Sequence, residues 1–103
     1  MGSLIYDGFG TPVRVDDREL AHLKMVITTK LRRAESFALS WLHSDGDGRS
    51  TVWVHPAINL RFDFDDPEPP QLDPEWLARL ADEGVAGMIT FSGTAGVPRR
   101  AAA

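Results

Sequence analysis

The sequence predicts a single small α+β domain of order ββαβββαβ, a mainly antiparallel sheet with two helices packed on it. The chain has 103 residues, enough for one hydrophobic core but not for two. Apolar residues make up 43% and charged residues 25%, which is typical of a globular protein. Segments of alternating apolar and polar residues flank one long segment with helical spacing. We expect the domain to span residues 1–92 and residues 93–103 to form a flexible tail.

Two short strands and a helix come first. The strands are predicted at Ser3–Tyr6 and Thr11–Val15, on either side of a glycine-rich turn. The helix is predicted over Asp17–Arg33. Either Asp16 or Asp17 can cap it, because a carboxylate accepts the unpaired amides of the first turn. Helical spacing places one set of apolar residues on a single face: Leu20, Leu23, Ile27 and Leu31.

Three strands follow, and their short connections predict an antiparallel meander. They are expected at Ser36–Leu42, Thr51–His55 and Asn59–Phe64. A hairpin loop over Ser44–Gly48 joins the first two, and Pro56 ends the second because proline cannot donate to a sheet. The face of this meander that packs on the first helix is predicted to carry Phe37, Leu39, Trp41, Val52, Val54, Leu60, Phe62 and Phe64.

An acidic, proline-rich crossing, a second helix and a last strand complete the chain. The crossing, Asp65–Leu72, cannot be a central strand. The second helix begins with Asp73 as its cap and Pro74 at its first position. Gly84 is expected to stop this helix. The last strand is predicted within Val85–Ser92.

Cysteine content and charge exclude several classes of protein. The chain has no cysteine, which excludes disulfides, zinc–thiolate sites and thiol nucleophiles. Its net charge of −4 argues against binding nucleic acid over the whole surface. Eight basic residues from Arg14 to Arg61 nevertheless allow a locally basic region. The sequence lacks a secretory leader pattern and a membrane-length apolar run, so we expect a cytoplasmic protein with no membrane partner and no cofactor.

Several short motifs follow one another along the chain: Asp16–Leu23, Lys30–Arg33, Glu35–Phe37, Ser40–Trp41, Gly46–Arg49 and Trp53–Pro56. In this order they resemble a family of small uncharacterised actinobacterial proteins of about this length. The resemblance extends from Met1 to about Leu80, and Trp76 matches the tryptophan of the second helix. It implies no reaction and no site residues, although members often bear the label ATP-dependent DNA ligase.

The residues argue against ligase activity in this chain. Nucleotidyl transfer by that class needs a lysine nucleophile in a Lys-x-Asp-Gly motif. Lys24 is followed by Met-Val-Ile and Lys30 by Leu-Arg-Arg, so neither provides the motif. The chain is also too short to hold both an adenylation core and a DNA-encircling domain. We therefore expect no ligase activity. For enzymes in general the residues favour a non-catalytic protein and leave a small hydrolase as an alternative.

Candidate metal ligands lack the spacing that a metal site needs. Asp45–Gly48 could begin a calcium loop, but Pro56 stands where the closing bidentate glutamate belongs. Asp63, Asp65 and Asp66 could hold magnesium, yet an acidic connection exposed to solvent explains them better. We expect no metal site.

Candidate catalytic groups are equally sparse. His22, His43 and His55 show no helical i, i+4 ligand spacing. We interpret His22 as a packing or boundary residue and His43 as solvent-exposed. Ser40, His55 and Asp63 could form a hydroxyl, base and acid set across one face of the meander. No nucleophile motif accompanies them, so they are weak candidates.

The other face of the meander suggests binding. It is predicted to carry Ser40, Thr51, Trp53, His55 and Arg61, with Arg49 at its edge. An aromatic ring beside guanidinium groups can stack a base and hold a phosphate. The alternative is that the second helix covers this face and makes Trp53 part of the core.

The leading hypothesis is therefore a non-catalytic binding module for a phosphate-bearing partner such as nucleic acid. Favourable charge at a helix C-terminus is the alternative explanation for the basic residues that end the first helix. The expected ligand-binding residues are Arg32, Arg33, Arg49, Trp53, His55 and Arg61. The alternative functions are a protein-interaction or self-association domain anchored by Trp53, and a small hydrolase centred on His55.

Overall fold

A computed structural model describes residues 1–6, 12–43 and 48–91. Its elements are β1 (Gly2–Tyr6), β2 (Val13–Val15), α1 (Asp17–Arg32), β3 (Phe37–Leu42), β4 (Arg49–Val54), β5 (Leu60–Asp63), α2 (Pro74–Val85) and β6 (Met88–Phe91). The predicted α+β class and the order ββαβββαβ are confirmed. The predicted glycine-rich turn, the tip of the hairpin loop, the domain boundary at residue 92 and the tail over 93–103 lie outside the described residues.

The strands form two three-stranded sheets. The first has the order β2-β1-β5 and is antiparallel throughout. The second has the order β4-β3-β6, in which β4 is antiparallel to β3 and β6 is parallel to it. The predicted meander is therefore right for its first hairpin and wrong for β5, which pairs with β1. Alternation fixes which face of a strand is apolar but not which strand lies beside it. The turn at Pro56 directs the chain away from β4 before β5 begins.

One hydrophobic core joins both sheets to the helices. Strand alternation sends every second side chain inward, and the buried strand residues are Leu4, Val13, Val15, Phe37, Leu39, Trp41, Val54, Ile89 and Phe91. The apolar stripe of α1 contributes Leu20, Leu23, Val26 and Ile27 to the same cluster. Burial of these apolar side chains is the main stabilising contribution to a domain of this size.

The two aspartates that precede and open α1 have separate roles. Asp16 is the cap, and its side chain accepts a hydrogen bond from the amide of Arg18. The Asp17 carboxylate instead accepts the amides of Asp65 and Asp66, at 3.4 and 3.0 Å. The first residue therefore satisfies the helix end, and the second holds the acidic crossing against it.

The end of α2 differs from the sequence prediction. The helix continues through Gly84 to Val85, and Gly87, with φ +104°, turns the chain out of it. Gly84 is a packing residue, since a Cβ there would lie 3.0 Å from Cδ of Lys30 on α1. Val85 consequently belongs to the helix, and the last strand begins at Met88. No helix among the described residues is long and apolar enough to cross a membrane.

Candidate functional site

The second sheet has one face against the core and one face that no element among the described residues covers. Strand register places three rows of side chains on the uncovered face. Trp53, Ala38 and Met88 lie side by side in the first row, Thr51, Ser40 and Thr90 in the second, and Arg49 and Leu42 in the third. We call this surface the outer face; its residues are Ala38, Ser40, Leu42, Arg49, Thr51, Trp53, Met88 and Thr90.

The outer face exposes three large apolar side chains. Leu42 is 61% exposed, Trp53 is 57% exposed and Met88 is 41% exposed. The alternative in which the second helix covers Trp53 is therefore wrong. α2 packs against α1 and β6 instead, where Leu80 is buried. Isolated surface apolar residues such as Leu42 are ordinary, but Trp53 and Met88 flank Ala38 in one row, and contiguous exposed apolar surface marks interaction sites.

Hydrogen bonds hold the patch in place at its centre and at one edge. The Ser40 hydroxyl is buried under the middle row and accepts a hydrogen bond from the Thr51 hydroxyl at 3.2 Å. The hydroxyl of Tyr6 on β1 donates to the backbone carbonyl of Trp53. This bond ties the first sheet to β4, so the Trp53 backbone is fixed while its ring faces solvent. A rigid aromatic anchor loses little conformational entropy when it binds.

The charge of the outer face differs from that of the whole chain. The chain carries a net charge of −4. Among the described residues of the outer face, Arg49 is the one charged side chain, and none is acidic. An acidic side chain lies at one edge of this sheet. The Glu83 carboxylate accepts a hydrogen bond from the backbone amide of Thr90, on the edge strand β6, at 3.0 Å. The face itself is therefore apolar and weakly cationic.

The structure separates the predicted ligand-binding residues. Arg49 and Trp53 share the outer face, as the alternation of β4 predicts. Arg61 lies on β5 in the other sheet, and its Nε donates to the Asp63 carboxylate at 3.0 Å. Arg32 and Arg33 lie at the C-terminus of α1. Arg61 is not on the outer face because β5 joins the first sheet, and Arg32 and Arg33 belong to the end of α1 and not to that sheet.

His55 follows β4 and is half-buried. Its Nδ1 accepts the amide of Ala57 at 3.3 Å, and its carbonyl accepts the amide of Ile58. Both bonds stabilise the turn around Pro56, where the side chain caps the backbone. The position of His55 is explained by this turn, and His43 is explained similarly, since its Nε2 lies 2.8 Å from the Ser50 hydroxyl.

The predicted hydroxyl, base and acid set is not assembled. Ser40 lies on β3 and Asp63 on β5, in different sheets, so the expectation that they are cross-strand neighbours is wrong. Each has another partner: Thr51 for Ser40, Ala57 for His55 and Arg61 for Asp63. In the part of the chain that the structure describes, no hydrogen bond joins any two of the three.

The acidic residues of the crossing also have structural partners. Arg14 donates to Asp65 at 3.1 Å, and Asp66 accepts the amide of Glu68 at 3.0 Å. Desolvation raises the pKa of Asp65, but hydrogen bonds from the N-terminal amine and Arg14 outweigh it and hold this pKa below its ordinary value. Within residues 1–6, 12–43 and 48–91, no three ligating side chains form a metal-binding group. Asp45 and Asp47 lie outside the described residues.

An open groove of about 460 Å³ lies between α1 and the crossing. Its walls are apolar, formed by Met25, Phe64, Leu72 and prolines of the crossing. Its charges oppose one another: Lys24 lies 5.6 Å from the centre of the Phe64 ring, and Asp66 and Glu68 lie at the rim. The groove thus favours no particular class of ligand by charge.

The face predicted from the sequence lacks four residues of the outer face: Ala38, Leu42, Met88 and Thr90. Leu42 was predictable in part, because it alternates with Phe37, Leu39 and Trp41 and must face the other side of β3. Met88 required knowing that β6 lies beside β3, a parallel pairing reached through α2. No local sequence signal encodes that pairing.

Comparison with curated proteins and with solved structures gave no match. A family model described as a domain of unknown function, DUF7882, matches residues 1–90. The matched range contains both helices, the first five strands and all but the last residue of β6. It agrees with the sequence resemblance to an uncharacterised family. The chain therefore belongs to the DUF7882 family.

Proposed function

We propose that this chain is a non-catalytic interaction module that docks a partner protein on the outer face. The observation that carries the proposal is the Trp53 ring, which is 57% exposed on the edge strand β4, in the same row of the outer face as Met88 and two rows from Leu42. A domain of this size gains stability by burying tryptophan, so an anchored and exposed ring favours a role in binding.

The composition of the outer face is that of the centre of a protein interface. Such centres are enriched in tryptophan, methionine and arginine and depleted of acidic residues. A few aromatic and arginine side chains carry most of the binding free energy, and surrounding groups exclude water from them. Trp53, Met88 and Arg49 supply the enriched types, and Thr51 and Thr90 lie in the middle row between Trp53 and Arg49.

Charge favours a different protein over a second copy of this chain. A partner that covers Arg49 must supply an acceptor, because a guanidinium buried without one costs free energy. The described residues of the outer face include no acidic side chain. Packed together, the described residues of two outer faces would offer no carboxylate to either guanidinium group. The partner we propose therefore presents apolar side chains beside at least one Asp or Glu.

Nucleic acid is less well supported than protein. Non-specific binding needs several cations along the phosphate backbone, and the described outer face has Arg49 alone. Arg32, Arg33 and Arg61 lie elsewhere. The shared position of Arg49 and Trp53 on β4 is the feature that would suit a stacked base and a phosphate. The test must therefore distinguish binding of single-stranded nucleic acid from binding of a protein.

The test is a selection of random displayed peptides on the immobilised domain, with counter-selection on the Trp53→Ser variant. We expect enriched peptides that combine aromatic or aliphatic residues with Asp or Glu. Binding of the enriched peptides should weaken by at least about tenfold in Trp53→Ser and in Leu42→Ser. Val85→Ser is the matched control, because Val85 is 84% exposed at the end of α2 and is not a residue of the outer face.

Three results would overturn the proposal. The first is that no peptide is enriched over the counter-selected variant. The second is that Val85→Ser weakens binding as much as Trp53→Ser does. Alternatively, Trp53 fluorescence responds to single-stranded oligonucleotides in a salt-sensitive manner, which would identify nucleic acid as the partner. Concentration-dependent self-association that Leu42→Ser abolishes, measured by sedimentation, would identify a second copy instead.

A further inference from the structure

A second and separate feature of the molecule is a pocket of about 280 Å³ between α1 and α2. We call it the interhelical pocket. Val26, Leu77 and Val85 line its apolar side, and Lys30, Arg33 and Glu35 line its charged side. This volume is just below the roughly 300–1,000 Å³ typical of ligand pockets, so an occupant would be small.

Lys30 is a buried, positioned cation in this pocket. It is 9% exposed, and its stem passes over Gly84, where any Cβ would be 3.0–3.3 Å from the stem and the ammonium. Its Nζ donates to Glu35 at 2.9 Å and lies 5.5 Å from the centre of the Phe37 ring. Burying a lysine is costly without partners. The chain supplies a glycine, a carboxylate and an aromatic face to keep it there.

The turn after α1 brings the third charged group to the pocket. Ala34 adopts φ 60°, a left-handed conformation that non-glycine residues seldom take. This turn lets the Glu35 amide donate to the Lys30 carbonyl at 3.0 Å and places the Glu35 side chain against the Lys30 ammonium. A left-handed residue directly after the C-cap is the usual way to end a helix, and here it brings Glu35 to the pocket.

The three charged residues of the pocket determine its net charge. The hydrogen bond from Lys30 lowers the pKa of Glu35, while desolvation opposes it and the charges of Lys30 and Arg33 lower it further. Glu35 is therefore ionised near neutral pH. Lys30 and Arg33 carry one positive charge each, so the pocket retains one net positive charge in a chain of net charge −4. One further negative charge neutralises it.

We propose that the interhelical pocket binds a small amphiphilic monoanion, an aliphatic carboxylate. Its head group bridges Arg33 and Lys30, and its short tail lies against Leu77 and Val26. A guanidinium offers two parallel donors that match a carboxylate. A phosphate monoester, with close to two negative charges, would overcompensate the pocket. This site is independent of the outer face.

The test is calorimetric titration of the intact domain with sodium hexanoate, with hexanol and hexyl phosphate as comparison ligands. We expect saturable hexanoate binding, and binding at least about tenfold weaker for hexanol because it lacks the charge. Hexyl phosphate should bind more weakly than hexanoate.

Variants localise the binding. Arg33→Gln should weaken hexanoate binding by at least about tenfold, and Arg33 is exposed, so the variant folds. Arg32→Gln is the matched control: it removes the adjacent positive charge from a residue that does not line the pocket. Glu35→Gln should tighten binding, because it leaves two cations unopposed.

The proposal is overturned if hexanoate does not saturate or if hexanol binds equally well. It is also overturned if Arg32→Gln and Arg33→Gln weaken binding equally, because the effect would then be diffuse surface charge. Tighter binding of hexyl phosphate than of hexanoate would replace the monoanion with a phosphate ligand. None of these outcomes depends on the partner of the outer face.

Discussion

The Nε2 atom of His22 accepts a hydrogen bond from the backbone amide of Asp73 at 2.8 Å, which joins the middle of α1 to the cap of α2. The Nδ1 atom lies 2.6 Å from the Arg18 carbonyl, which can only accept. Nδ1 therefore carries the proton, and the ring is the neutral Nδ1–H tautomer. The ring also stacks on Trp76 with centroids 4.2 Å apart. A buried histidine thus positions the second helix.

Replacing His22 should destabilise the fold strongly. His22→Ala leaves the Asp73 amide without its acceptor and opens a cavity beside Trp76. We expect a loss of about 2–4 kcal/mol in the free energy of unfolding, measured by urea denaturation. The control is His55→Ala, which removes a half-buried ring that caps an exposed turn and should cost about 1 kcal/mol or less. Equal losses for the two variants would contradict the role assigned to His22.

Because Gly84 contacts Lys30, we expect the effect of Gly84→Ala on the free energy of unfolding to change sign with the residue at position 30. Gly84→Ala gains helix propensity of about 1 kcal/mol but forces Cβ against the Lys30 stem. Lys30 cannot yield easily, because Glu35 and Phe37 hold it. We expect a net destabilisation of about 1 kcal/mol in the wild-type background and a stabilisation of about 1 kcal/mol when Lys30 is alanine. A double-mutant cycle measures this, and additive effects would show that the packing does not constrain Gly84.

The backbone conformation of Ala34 predicts that Ala34→Gly stabilises the fold. Its φ of 60° lies in the left-handed region, where a Cβ costs roughly 1–2 kcal/mol and glycine is free of that cost. Part of the gain is lost because glycine is more flexible in the unfolded chain, so Ala34→Gly should stabilise by about 0.5–1 kcal/mol. Ala78→Gly, at an exposed position within α2, should instead destabilise by about 1 kcal/mol. Ala34→Gly that destabilises as much as Ala78→Gly would show that the turn is not strained.

The lowered pKa of Glu35 predicts how the free energy of unfolding depends on pH. Its pKa is below the ordinary 4.5, mainly because of the hydrogen bond from Lys30. Such a group stabilises the folded state above its ordinary pKa, and that contribution is lost as the pH falls through the lower folded value. Wild type should therefore be more stable than Glu35→Gln near neutral pH, and the difference should shrink below 4.5. A difference that stays constant across this range in urea unfolding would contradict the ion pair.

Helix ends were largely predictable from the sequence, whereas strand partners were not. Asp73 and Pro74 mark the start of α2 by local chemistry, and α1 ends within one residue of its predicted end. Gly84 resembled a helix stop, but a contact with Lys30, far away in sequence, determines its role. The pairing of β5 with β1 is equally non-local. Alternation of apolar residues fixes faces, and only the packed core selects neighbours.

The candidate site follows the same division. Arg49 and Trp53 could be assigned to one face because they lie an even number of residues apart on one strand. Arg61 was assigned to that face through the meander, and it lies in the other sheet. Met88 belongs to this surface because β6 pairs in parallel with β3, and no short sequence motif indicates that pairing. The sequence thus predicts that Arg49 and Trp53 share a face, and the sheet order determines the extent of the surface around them.

The most direct measurement of the docking surface is amide chemical-shift mapping of the domain with a peptide from the displayed selection. We expect the shifts to concentrate on β3, β4 and β6 around Trp53, and to vanish in Trp53→Ser while the rest of the spectrum shows an intact fold. Because Trp53 is 57% exposed, this variant should change the free energy of unfolding by about 0.5 kcal/mol or less. Shifts centred on α1 and α2, or shifts that persist in Trp53→Ser, would contradict docking on the outer face.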